Sequence, residues 1–189
     1  DKDGADITIP GIELKLIHVA PGTYNRGSDH GYPDERPVHK VTLTAPFWIG
    51  ETPVTQGQYI DLMVANPSYF PGEAQPVETV NWYEALEFCR RLTERERTAG
   101  RLPKGTFFRL PTEAEWEYVA RTAPDTDAGT TADGTEEAAA KCSDFCFGSN
   151  VDELPAYAWH WENSDAQTHA VKTKQASPRG LYDLEGNIG

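Results

Sequence analysis

One run of residues, Phe108-Arg109-Leu110-Pro111-Thr112-Glu113-Ala114-Glu115-Trp116-Glu117-Tyr118, writes a strand end, a proline stop and a capped helix start into a single phrase. Thr112 is placed to accept a hydrogen bond from the Glu115 amide, while the Glu115 side chain reaches back to the Thr112 amide. This reciprocal capping box predicts a helix from residue 112 to about 121. Helical spacing then turns Trp116 and Val119 or Ala120 toward a core.

The same logic places two more helices. Thr55 starts one that runs to about Val64 and stops before Asn66-Pro67, because proline disfavours a helical residue ahead of it. Asn81, with Glu84 three residues on, caps another, in which Trp82, Ala85, Leu86, Cys89 and Leu92 recur as one buried stripe. Its charged far end, Thr93 to Arg97, reads as a solvated face, ended by Gly100 and Pro103. Residues 13–19 and 38–44 alternate as strands of a twisted antiparallel pair, with a turn-rich loop between them. Residues 122–141 lack large apolar side chains along most of their length and read as a surface insertion, whereas Phe145 to Trp161 is aromatic again.

With 16 Gly and 14 Pro among 189 residues, one loop-rich domain over residues 1–189 is the economical reading. Five Trp, eight Tyr and seven Phe supply an aromatic core. A net charge of −13 argues against nucleic acid as a partner, since phosphate binders concentrate Lys and Arg on one face. No apolar run reaches the length of a membrane span.

Three cysteines are too few for a disulfide scaffold. Cys89 reads as a small hydrophobe on its helix, and Cys142 and Cys146 as a local disulfide or two free thiols. The five histidines form no ligand pattern. His39 reads as a satisfied polar group in its strand, and His160, between two tryptophans, either as structural or as lining a pocket.

Six pieces occur in order: residues 36–41 (RPVHKV), 47–49 (FWI), 53–59 (PVTQGQY), 76–82 (PVETVNW), the phrase at 108–118, and 180–187 (GLYDLEGN). The series resembles the formylglycine-generating enzyme family, also called the sulfatase-modifying-factor domain. The resemblance implies an α+β fold, the irregular C-type-lectin-like fold of that family, with few regular elements and many loops, and it implies that the domain's C-terminal part lies beyond Gly189. By resemblance, calcium is a structural cofactor held in two places. Asn187 gives a side-chain oxygen and Glu185 and Ile188 give carbonyls to one ion; Asn163, the Ser164 carbonyl and Asp165 begin a second site. A segment preceding a tight loop and a strand at Val171 is also implied.

The family's copper-binding redox cysteines match no residue here, neither Cys142 nor Cys146, so copper enters only if a part beyond Gly189 carries that pair. The expected partners are the C-terminal remainder of the same domain and a protein or peptide ligand. The expected function is ligand or protein binding on this scaffold, as in retroelement-diversified variable proteins. Its alternative is copper-dependent oxidation of a substrate cysteine to formylglycine, for which this sequence holds no catalytic residue.

Overall fold

The computed structural model describes residues 4–122 and 143–188. Among these residues, five short strands, four α-helices and two short 3-10 helices are set among loops. Strand β1 (Ile7–Ile9), β2 (Leu14–Val19) and β5 (Phe47–Gly50) form one antiparallel sheet in the order β1-β2-β5. Among the described residues, strand β3 (Gly22–Arg26) pairs only with β4 (His39–Leu43). The two segments expected to pair, β2 and β4, therefore lie in different sheets. Alternation tells each strand which face to bury, but it does not name a partner.

Strand β2 sits between two cores, and its alternation is the reason. Leu14 and Leu16 join Ile9, Ile12, Tyr59, Phe88 and Leu92 in one cluster. Ile17 and Val19 join Tyr24, Tyr118, Val119 and Leu181 in the other. Strand periodicity sends these two sets to opposite faces, so both faces of a single strand are covered.

All three expected caps form. Thr55 accepts from Gln58 N at the start of α1 (Gln56–Met63), Asn81 from Tyr83 N and Glu84 N at α2 (Trp82–Thr98), and Thr112 from Glu115 N at α3 (Glu113–Arg121). Each is completed by the return bond of a capping box. Helix α1 packs on α2 by stacking Tyr59 on Phe88, centroids 5.7 Å apart. Helix α3 packs on β3 through Tyr24 and Tyr118, and the Tyr24 hydroxyl donates to the Ala114 carbonyl at 2.8 Å.

Helical spacing overstated what is buried. Leu92 is enclosed and Cys89 half-buried, but Trp82 is 61% exposed at the first turn of α2. Trp116 on α3 is 44% exposed, while Val119 and Ala120 are buried. The charged end of α2 errs the other way. Thr93 and Glu96 are buried there, because Arg95 and Arg101 clamp the Glu96 carboxylate at 3.0 and 2.6 Å and Thr93 receives the Phe108 amide. Arg101 and Leu102 also return their amides to the Glu96 carbonyl, so the clamp ends the helix.

Of the expected insertion at 122–141, only Thr122 is described; it is buried and bonded by Arg179. Cys142 also lies outside the described residues, whereas Cys89 and Cys146 are free thiols. Past this stretch, α4 (Leu154–Tyr157) brings Tyr157 into a stack with Phe147 and Phe145. Val171 forms no strand; it lies in a turn, and its amide donates to the carbonyl of the distant Ala74. Among the described residues no helix is long and apolar enough to cross a membrane.

Candidate functional site

The three segments that meet at the open end of the second core leave a cavity of about 550 Å³. Helix α3 contributes Trp116. The turn after α4 contributes Trp159, His160, Trp161, Ser164 and Gln167, and the strap at 184–188 contributes Leu184 through Ile188. His160 thus lines a pocket, and its Nε2 is buried without a hydrogen-bond partner among the described residues. Trp161 is 85% exposed at the cavity rim.

The turn is built from its own polar groups. Asn163 Oδ1 accepts from His160 N at 2.7 Å and Nδ2 donates to the Ala158 carbonyl at 3.1 Å. The amides of Asn163 and Ser164 both return to the His160 carbonyl. Trp159 is held by His169 stacked at 3.7 Å between centroids, by Lys174 Nζ at 3.9 Å from its ring, and by an indole bond to Thr173. Gly186 is required where the strap crosses this turn: a side chain there would collide with the Trp159 carbonyl, which accepts the Asn187 amide at 2.8 Å.

Asn187 stitches the strap down. In a left-handed conformation, it accepts from His169 N at 2.8 Å and donates to the His169 carbonyl and to Asp183 Oδ1. Asp183 is buried and also accepts the Lys172 amide. Glu185 accepts the Cys146 amide at 2.8 Å. No ion pair reaches either carboxyl among the described residues, and burial pushes both above their usual range. Burial pushes the Cys146 thiol up to about 12, with the neighbouring Glu185 adding to the shift. Five residues with positive φ other than glycine, Asp165, Ala166, Lys172, Asp183 and Asn187, fall in these loops, which marks the region as conformationally demanding.

Of the six residues the sequence nominates as ligands, Ser164, Glu185, Asn187 and Ile188 line this one cavity. Asn163 braces the turn and Asp165 stands exposed, and neither lines the cavity. The two calcium sets differ in fit. Asn187 Oδ1 carries one hydrogen bond, and the carbonyls of Glu185 and Ile188 carry none from the described residues, so these neutral oxygens suit a calcium ion in kind. The Ser164 carbonyl instead already takes two N–H groups, from Gln167 N at 3.2 Å and His169 Nε2 at 2.9 Å. Among the described residues no group of three His, Cys, Asp or Glu side chains is disposed to hold a metal. Sequence reasoning missed His169 and the cavity role of Trp116. The run Trp159-His160-Trp161 was the visible signal for the rest.

A smaller hollow of about 310 Å³ lies between α1 and residues 66–73. Its buried residue, Gln56, is fully engaged in holding that loop: Oε1 accepts from Asn66 and Gly72, and Nε2 donates to the carbonyls of Phe70 and Pro76.

The sulfatase-modifying factor enzyme 1-like domain family matches residues 13–189. The chain is 32% identical to the chaperone protein LppX of Paenibacillus barcinonensis over 92% of its own length and 69% of that protein. It is 28% identical to the formylglycine-generating enzyme of Mycobacterium tuberculosis, over 57% of its own length and 51% of the enzyme. Among solved structures, Treponema denticola variable protein 1 superposes with a TM-score of 0.74 at 28% identity, covering 97% of this chain and 74% of that one.

Proposed function

The chain belongs to the sulfatase-modifying factor enzyme 1-like domain family, and from that premise we propose that it is a binding module whose tryptophan-lined cavity takes a polypeptide segment. The observation that carries this reading is the pairing of Trp161, 85% exposed, with Trp116, 44% exposed, across a cavity of about 550 Å³. Exposed tryptophan rings around a concavity are the kind of anchor that dominates binding energy, since they bury large areas at little entropic cost. The name of the Paenibacillus relative, a chaperone protein, agrees with a polypeptide as ligand. A further segment of the same domain and a separate protein are the two sources of such a polypeptide.

Calcium at Asn187 with the Glu185 and Ile188 carbonyls belongs to the same proposal. The ion would stiffen the strap that floors the cavity, and the chain's own residues would do the binding.

The oxidase reading draws less support from the described residues. A copper site of the expected kind needs two thiolates, and no cysteine of residues 1–189 matches the family's redox pair.

The test uses a fluorescein-labelled, permanently unfolded polypeptide titrated into the protein and followed by anisotropy. Saturable binding that weakens about tenfold or more in the Trp116→Ala/Trp161→Ala double variant is the expected result. Absence of binding, or equal binding by the double variant, would overturn the reading. Oxygen uptake in the presence of copper(I) and a cysteine-containing peptide would favour the oxidase instead.

A further inference from the structure

We infer that the loop from Asn163 to His169 is closed without a cation, with the ring N–H of His169 standing where a metal's bond to the Ser164 carbonyl would otherwise be. The wall of the aromatic cavity is therefore assembled by the protein alone, even though the family resemblance leads one to expect calcium at this loop.

Four observations converge on this. A carbonyl acceptor fixes His169 Nε2 as the donor, so the 2.9 Å contact specifies the proton on that nitrogen. The Gln167 amide is the second donor to the same oxygen, which fills both lone pairs of the Ser164 carbonyl. Asn163 Oδ1, the next expected ligand, points its bond at His160 N. Asp165, the expected carboxylate, stands exposed and in a left-handed conformation with no bond to the described residues. A cation arriving here would have to displace two N–H groups before gaining its first carbonyl.

The placement of His169 is itself over-determined. Its ring stacks on Trp159, its amide donates to Asn187 Oδ1, and its carbonyl accepts from Asn187 Nδ2. Removing the imidazole thus loosens Trp159, the first residue of the cavity wall, as well as the Ser164 carbonyl. His169 is a positioning residue: it touches no ligand of its own and sets the geometry of the rings that do.

The inference concerns the 163–169 loop alone and stands whether or not the cavity binds polypeptide or Asn187 binds calcium. It is tested by thermal melting and by acrylamide quenching of tryptophan emission, each in EDTA and in excess calcium. His169→Ala is expected to lower Tm by roughly 2–8 °C and to raise quenching by the same amount in both media. His169→Gln, which restores an N–H donor but not the stack, should recover part of the loss. Whatever calcium response the wild type has should persist unchanged in Asp165→Asn. The inference is overturned if Asp165→Asn abolishes a calcium response. It is likewise overturned if His169→Ala melts and quenches as the wild type does. Should His169→Ala fail to fold, the calcium response of Asp165→Asn still decides it.

Discussion

Two sets of enclosed carboxylates in this molecule are held in opposite ways. Around α2 and α3 each has an arginine: Arg109 grips Glu115 at 2.7 and 2.6 Å, and Arg95 and Arg101 grip Glu96. Those acids are held below the usual carboxylate range, Glu115 at about 2. At the start of the strap, Asp183 and Glu185 are held by neutral donors only, amide N–H groups and the Cys146 thiol, and burial pushes both up. The first arrangement fastens a scaffold. The second tolerates unfavourable charge beside a cavity, a pattern more often found at functional sites than in frameworks.

The largest expected effect breaks the first region. Arg109→Leu leaves Glu115 enclosed without its partner and should cost about 2–3 kcal/mol in urea unfolding, the low end for a broken buried pair because the arginine itself is 42% exposed. A loss under half of that would mean the clamp is only surface pairing.

Gly186→Ala attacks the second region through packing. A methyl group against the Trp159 carbonyl should cost about 1–3 kcal/mol and shift the Trp159 indole resonance, since strap and turn must part. An unchanged spectrum would show that the crossing has slack.

The two regions should also differ in pH dependence. The folded-state values of Glu115 and Glu96 lie below their unfolded values, so their stabilisation is present above the unfolded values and is lost as pH falls through the folded ones, about 2 for Glu115. Asp183 and Glu185 lie above theirs, so their contribution is present in acid and is lost as pH rises through the folded values. Glu185→Gln should accordingly stabilise the protein at neutral pH by about 1 kcal/mol and make no difference near the acid end. Stabilisation in acid alone would reverse the assignment.

The smallest effect on stability is expected at the residue on which the proposed binding most depends. Trp161→Ala should leave the unfolding free energy within about 0.5 kcal/mol, because its ring is 85% exposed. Greater destabilisation would make Trp161 part of the scaffold.

Local chemistry was legible in the sequence wherever a few neighbouring residues decide the outcome. Thr55, Asn81 and Thr112 cap the helices they announce, because a cap needs only its own first turn. What depends on distant partners was not legible. Alternation in residues 13–19 and 38–44 established two strands but not that each pairs elsewhere. Periodicity placed Trp82 and Trp116 on a stripe without saying what covers it. Glu96 read as solvated because its burial depends on Arg101, beyond the helix end. In the site, Asn163 and Asn187 were reached through family resemblance, and the aromatic run at 159–161 through composition. His169 gave no signal: its role arises only when Trp159, Ser164 and Asn187 are folded around it.

The claim that the strap and turn form a polypeptide-binding face is tested most directly by the indole N–H resonances of the five tryptophans, recorded while the unfolded polypeptide is titrated in. Binding at the cavity shifts Trp116, Trp159 and Trp161 in saturable fashion and leaves Trp48 unmoved. Shifts confined to Trp48 or Trp82, or none at all, would contradict it.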